Sequence, residues 1–141
     1  MTKVSTFICF DYGIKRIGVA VGQTRTHTAT PLGTIHVKKG IPDWGKIAQY
    51  IRDWQPDALI VGKPLNMDGT GQRLTGLSNL FSEQLIDRFE KPIYRTDERL
   101  SSYEAKLRLK KTNNLDPVAA QVILETWFAE NAETCKKNDT I

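Results

Sequence analysis

Residues Ala58-Leu59-Ile60-Val61-Gly62 form an unbroken apolar run between Asp57 and Lys63. The run is too short for a buried helix and lacks the polar alternation of a half-exposed strand. It therefore reads as a strand covered on both faces, the kind found centrally in a sheet with parallel neighbours and packed helices. The flanking segments agree. Trp44, Ile47, Ala48, Ile51 and Trp54 recur at helical spacing after Pro42, and Gln55-Pro56-Asp57 stops that helix. Leu74, Leu77, Phe81, Leu85 and Phe89 mark a second amphipathic helix, Lys91-Pro92 punctuates it, and Ile93-Tyr94-Arg95-Thr96 enters another strand. Strand, helix and strand in that order describe a β-α-β crossover.

Upstream, FICF and GVAVG are β-rich runs separated by DYGIKRI, and PLGTIHV offers a third strand, so the chain opens as a meander. Downstream, Ser101 with Glu104 forms a capping box at the head of a helix over 101–111. Asp116-Pro117 reads as an N-cap followed by proline at the first position of a long final helix. The order βββ-α-β-α-β-α-α defines an α/β chain with a mixed five-stranded sheet flanked by helices. One domain over 1–134 accounts for this length, and the tail 135–141, CKKNDTI, has no apolar period and is expected to be flexible.

Cys9 lies in an apolar run and Cys135 in the charged tail, so neither a disulfide framework nor metal-ligand spacing is visible, and a reducing compartment is expected. The short apolar N-terminal stretch is interrupted by Asp11, which excludes a secretory signal and a membrane span and leaves the cytoplasm as the default location. A net charge of +4 is compatible with a polyanionic partner but is also common in proteins that bind none.

Ligands of α/β sheets gather beyond the carboxyl ends of strands, which directs attention to polar residues there. Asp11 ends the first strand, Lys63 to Asp68 follow the central one, Asp97-Glu98-Arg99 end the last, and Asp116 stands at the mouth of the final helix. Carboxylates from separate elements suit Mg²⁺ or Mn²⁺, hard cations that prefer oxygen. Each residue also has an ordinary role open to it. Asp11 before a glycine turn is turn chemistry, Asp116 before proline is a helix cap, and Asp97, Glu98 and Lys63 to Asn66 are solvated loop residues. His27 and His36 lack partners at catalytic or metal-ligand spacing, and Trp44, Trp54 and Trp127 form no stacking platform.

Four segments, FDYGIKRIGVAVG (10–22), ALIVGKPLNMDGTGQR (58–73), TDERLSSYEA (96–105) and LDPVAA (115–120), together resemble the successive signatures of the YqgF family, also called RuvX. The resemblance implies an RNase H-like fold related to Holliday junction resolvases, metal-dependent phosphodiester hydrolysis with Mg²⁺ or Mn²⁺, and maturation of the 5′ end of precursor 16S rRNA. Carried over position by position, it assigns catalysis and metal binding to Asp11, Asp97, Glu98 and Asp116. Adjacent strand residues face opposite ways, so one of Asp97 and Glu98 is expected at the metal. Lys15, Arg16, Lys63, Asn66 and Arg99 stand beside these ligands and are expected to hold the nucleic acid, arginine being suited to bidentate phosphate contact. Two positions depart from the family pattern. Pro117 replaces the usual small residue, which strengthens the capping role of Asp116, and Lys63 stands where leucine is favoured. The implied partners are precursor 16S rRNA, with branched DNA as the alternative, and ribosome assembly particles; no membrane is implied, and the assembly is a monomer or weak homodimer. Two rivals remain: a basic RNA-binding assembly factor that does not catalyse, and the actin-like ATPases. The ATPases fit poorly, because Lys15 stands where their Asp-x-Gly motif continues with Thr or Ser and no Walker-type loop is present.

Overall fold

The computed structural model describes residues 5–13, 15–62, 71–96 and 115–130. The elements are β1 (Thr6–Asp11), β2 (Arg16–Gln23), β3 (Thr28–Lys38), β4 (Ile41–Pro42), α1 (Trp44–Trp54), β5 (Ala58–Gly62), α2 (Gly71–Phe89), β6 (Ile93–Thr96) and α3 (Leu115–Glu130). The sheet order is β4-β3-β2-β1-β5-β6. The first three strands form the expected antiparallel meander, and β5 lies between β1 and β6, parallel to both. All five residues of ALIVG are buried, as a run without alternation requires.

Side chains alternate between two cores. Ile8 and Phe10 of β1 with Tyr12 just after it, Ile17, Val19 and Val21 of β2, and Leu59 and Val61 of β5 meet Ile47 and Ile51 of α1 and Phe81 and Leu85 of α2. On the other face Phe7, Cys9, Ala58 and Ile60 meet Ile123, Leu124 and Phe128 of α3. Between Arg16 and the end of β2, that face of the strand consists of Gly18, Ala20 and Gly22, and α3 lies close upon it. A Cβ built on Gly22 would stand 2.7 Å from the Thr28 carbonyl oxygen, 2.8 Å from a Phe128 ring carbon and 3.0 Å from a Leu124 methyl. The helix also seals the adjoining stretch of β3: the Gln121 amide donates to the Ala29 carbonyl at 2.9 Å, and the Ala29 N–H donates to the Glu125 carboxylate at 3.2 Å.

All five strands read from the sequence are present, and β4 adds a two-residue ladder outside β3, pairing Val37 with Pro42 and Lys38 with Ile41. The connecting residues Lys39 and Gly40 both have positive φ, 51° and 76°, the pattern of a type I′ turn. A lysine in this place gives no Asn-Gly signal, so the turn was not legible. α3 begins at Leu115, one residue ahead of the expected cap, so Asp116 and Pro117 fall within its first turn, where the proline's missing N–H costs nothing. The helix expected over 101–111 with its capping pair Ser101 and Glu104, the domain limit at 134 and the tail 135–141 lie outside the described residues.

α1 starts where Asp43 accepts a hydrogen bond from the Lys46 N–H at 3.3 Å, and it ends where Gln55, at φ 44°, donates its N–H to the Ile51 carbonyl at 2.8 Å. Asp43→Ala leaves a first-turn donor without that partner and is expected to cost about 1 kcal/mol. Urea unfolding checks this: the midpoint should fall at constant m, and an unmoved midpoint would show that the cap contributes nothing.

Candidate active site

β1 ends at Asp11, whose Cα partners are Gly18 on β2 and Gly62 on β5, and Gly62 in turn pairs with Thr96 at the end of β6. Asp11 is half-buried, and neither strand neighbour carries a side chain that could fill the space beside its carboxylate. The next residue anchors this end. The Tyr12 N–H donates to the Gly62 carbonyl at 3.2 Å, and its ring packs on Phe81 at 5.1 Å on the opposite face. Burial pushes the Tyr12 hydroxyl above its ordinary pKa, so it stays neutral at physiological pH. Gly13 closes the turn so tightly that a Cβ there would stand 2.5 Å from the Arg16 carbonyl oxygen.

By the alternation that puts Phe7 and Cys9 against α3, Asp11 lies on the α3 face. The direction of α3 follows from its contacts. Gln121 reaches the Ala29 carbonyl and Glu125 the Ala29 amide, so the helix runs against β3 and along β2. Phe128 stacking at 6.0 Å on His27, in the turn after β2, gives the same direction. Asp116 precedes Leu124 by about 12 Å of helix at ~1.5 Å per residue, and Gly18 precedes Gly22 by about 13 Å of strand at ~3.3 Å per residue. Leu124 sits at Gly22. The first turn of α3, which contains Asp116, thus reaches the level of Gly18, the partner of Asp11.

Arg16 opens β2 on this same face, two residues beyond Gly18, and is exposed. Lys15 is exposed, and its carbonyl accepts from the Val37 N–H at 2.9 Å. Lys63, Asn66, Asp97, Glu98 and Arg99 lie outside the described residues, and for Asp116 the helix backbone alone is described. Among the described residues no group of three His, Cys, Asp or Glu side chains gathers to hold a metal ion. Nor, among them, is any helix long and apolar enough to cross a membrane. Gly18 and Gly62 were not singled out in the sequence. The only signal for them was a glycine in each strand that neighbours β1, and its meaning depends on register.

This mixed sheet flanked by helices is the fold of the RuvC resolvases. Thermus thermophilus RuvC superposes with a TM-score of 0.57 at 13% identity, and T. thermophilus RuvC in complex with Holliday junction substrate with 0.62 at 12%; each covers 92% of this chain and 97% of the other. More narrowly, the chain belongs to the RuvX family, described as Holliday junction resolvase, whose model matches residues 5–130. It is similar to proteins named "Putative pre-16S rRNA nuclease" from Hydrogenovibrio crunogenus, 46% identical over 122 residues, and Nitrosococcus oceani, 47% over 136. The alignments cover 86% and 92% of this chain and 91% and 90% of those proteins.

Proposed function

We propose that this chain is a cytoplasmic nuclease that hydrolyses phosphodiester bonds at the Asp11 edge with Mg²⁺ or Mn²⁺, and that its substrate is the 5′ region of precursor 16S rRNA. The observation that carries the reading is the row Gly18–Asp11–Gly62–Thr96 at the carboxyl end of the sheet. It leaves one half-buried carboxylate between two glycines, level with the first turn of α3. Asp97 and Glu98 follow Thr96 directly in the sequence. The donor chemistry fits a hard cation: Asp11, one of Asp97 and Glu98, and Asp116 offer carboxylate oxygens from three separate parts of the sequence. The names of the similar proteins support the rRNA substrate.

In this reading Asp11, one of Asp97 and Glu98, and Asp116 would hold divalent metal, which when bound would supply an activated water and charge stabilisation for the leaving oxygen. The protein's own part is positioning. The Tyr12–Gly62 hydrogen bond and the Gly13 turn fix the end of β1, so the Asp11 carboxylate arrives in one place. Arg16, on the same face, holds a substrate phosphate, and Lys15, Lys63, Asn66 and Arg99 extend that grip along the backbone. A second reading, cleavage of four-way DNA, is favoured by the family description and the RuvC fold. Incubating purified protein with precursor 16S rRNA, unstructured RNA and a four-way DNA junction, each with and without Mn²⁺ or Mg²⁺, separates them. Metal-dependent new ends on the precursor are expected. Cleavage of the junction alone would replace the substrate, and binding without any cleavage would leave a non-catalytic assembly factor.

A further inference from the structure

None of the chain's 16 Asp and Glu residues lies between Tyr12 and Pro42, whereas five of its 20 Lys and Arg do: Lys15, Arg16, Arg25, Lys38 and Lys39. That segment carries +5, and the remainder of the chain, with 15 cations against 16 anions, carries −1. The basic character of the protein is therefore a property of the β2–β3–β4 meander. Four of the five are brought to one end of the sheet. Arg16 is the Cα partner of His36, Lys38 lies two residues further along β3, and Lys39 sits in the turn to β4. Arg16, His36 and Lys38 alternate with the buried Ile17, Ile35 and Val37, which face α1 and α2, so all three stand on the face that carries Asp11. Arg16, His36, Lys38 and Lys39 are all exposed. Of the described acids, Asp11 lies on this face opposite Gly18, and Asp43 caps α1.

Lys39 gives a second, independent observation. Its φ of 51° is the left-handed conformation that a two-residue hairpin turn requires and that Asn or Gly adopts at least cost. A lysine in this turn sets an ammonium at the hairpin tip.

Resting on the nuclease reading above, we infer that the β3–β4 hairpin is a phosphate-binding surface that guides a nucleic-acid strand away from the Asp11 edge, with Lys38 and Lys39 as contacts beyond Arg16. The dimensions suit this. With strands ~4.8 Å apart and ~3.3 Å per residue, the Lys38 position lies about 16 Å from Asp11. The hairpin thus engages substrate well outside the reacting bond.

The test combines Lys38→Gln with Lys39→Asn, since Asn accepts the left-handed turn. Fluorescence anisotropy follows binding of a 20-nucleotide RNA across a KCl series without divalent metal, so that no cleavage contributes. The double variant should flatten the log–log salt slope by about 1.4, two single-strand phosphate contacts at ~0.7 each, and should melt no lower than the parent because the turn is relieved. Arg52→Ala with Lys91→Ala removes equal charge at other places and should leave the slope nearly unchanged. An unaltered slope in the hairpin variant overturns the surface, as does an equal loss in the control, which would mean diffuse net charge. Binding of polyglutamate in place of RNA overturns it in favour of an acidic protein partner. The two readings fail separately: a chain that binds RNA through the hairpin but cuts nothing refutes the nuclease, whereas cutting with an unchanged slope refutes only this surface.

Discussion

Asp11→Asn is expected to lower metal-dependent cleavage about a thousandfold while leaving the fold intact. The substitution keeps side-chain volume nearly constant, exchanges one acceptor oxygen for a donor NH₂ and removes the charge that a hard divalent cation needs. Metal contributes several kcal/mol to such a reaction, and at ~1.36 kcal/mol per decade a loss of ~4 kcal/mol lowers the rate about a thousandfold. Folding should survive, because Asp11 is half-buried and the end of β1 is held by the Tyr12 N–H to Gly62 carbonyl bond, a backbone contact that the substitution does not touch. If Asp11 were only a turn residue before Gly13, Asn would serve equally well, and cleavage would be near that of the parent. Fragment release and thermal unfolding measured on the same preparation distinguish the two: lost cleavage with an unmoved melting curve supports the metal site, and full cleavage removes Asp11 from the mechanism.

Gly22→Val should be the most damaging single change to stability. Even the first added carbon meets the Thr28 carbonyl oxygen at 2.7 Å and Phe128 at 2.8 Å, and the former is backbone that cannot step aside. Phe128 itself is wedged between Phe7 and Trp127, at ring separations of 5.7 Å and 5.9 Å. Relief therefore requires α3 to lift from the sheet, at a cost of about 3 kcal/mol or more, a large part of the ~5–15 kcal/mol that keeps a domain folded. Because the same helix carries Asp116 in its first turn, residual folded protein should also cleave more slowly. Denaturant unfolding checks the first effect and single-turnover cleavage the second. A Gly22→Val protein of parental stability would mean that α3 does not pack on β2 as described.

The sequence revealed elements better than relations between them. ALIVG, the α1 stripe ending at Gln55 and the α2 stripe through Phe81 and Leu85 were legible because burial imposes a period that composition displays. β4 was not, since two residues are too few for a period and Lys39 conceals the turn. α3 starts at Leu115, two residues ahead of Pro117, because Asp116-Pro117 suits the inside of a first turn as well as a cap. For the site, Asp11 could be found as a polar residue ending an apolar run. Its face, its glycine neighbours and its level with α3 could not, because they depend on which strand lies beside β1 and in what register. GVAVG displayed the small residues Gly18, Ala20 and Gly22 openly, but only the helix upon them gives the pattern a meaning.

The most direct measurement is the anomalous scattering of Mn²⁺ in crystals of the protein, compared between the parent chain and Asp11→Asn. The parent should show Mn²⁺ bound by the Asp11 carboxylate at the open end of β1, and the variant should show that peak lost with the surrounding sheet unchanged. Mn²⁺ bound only elsewhere, in a protein that still cleaves RNA with that metal, would contradict the account.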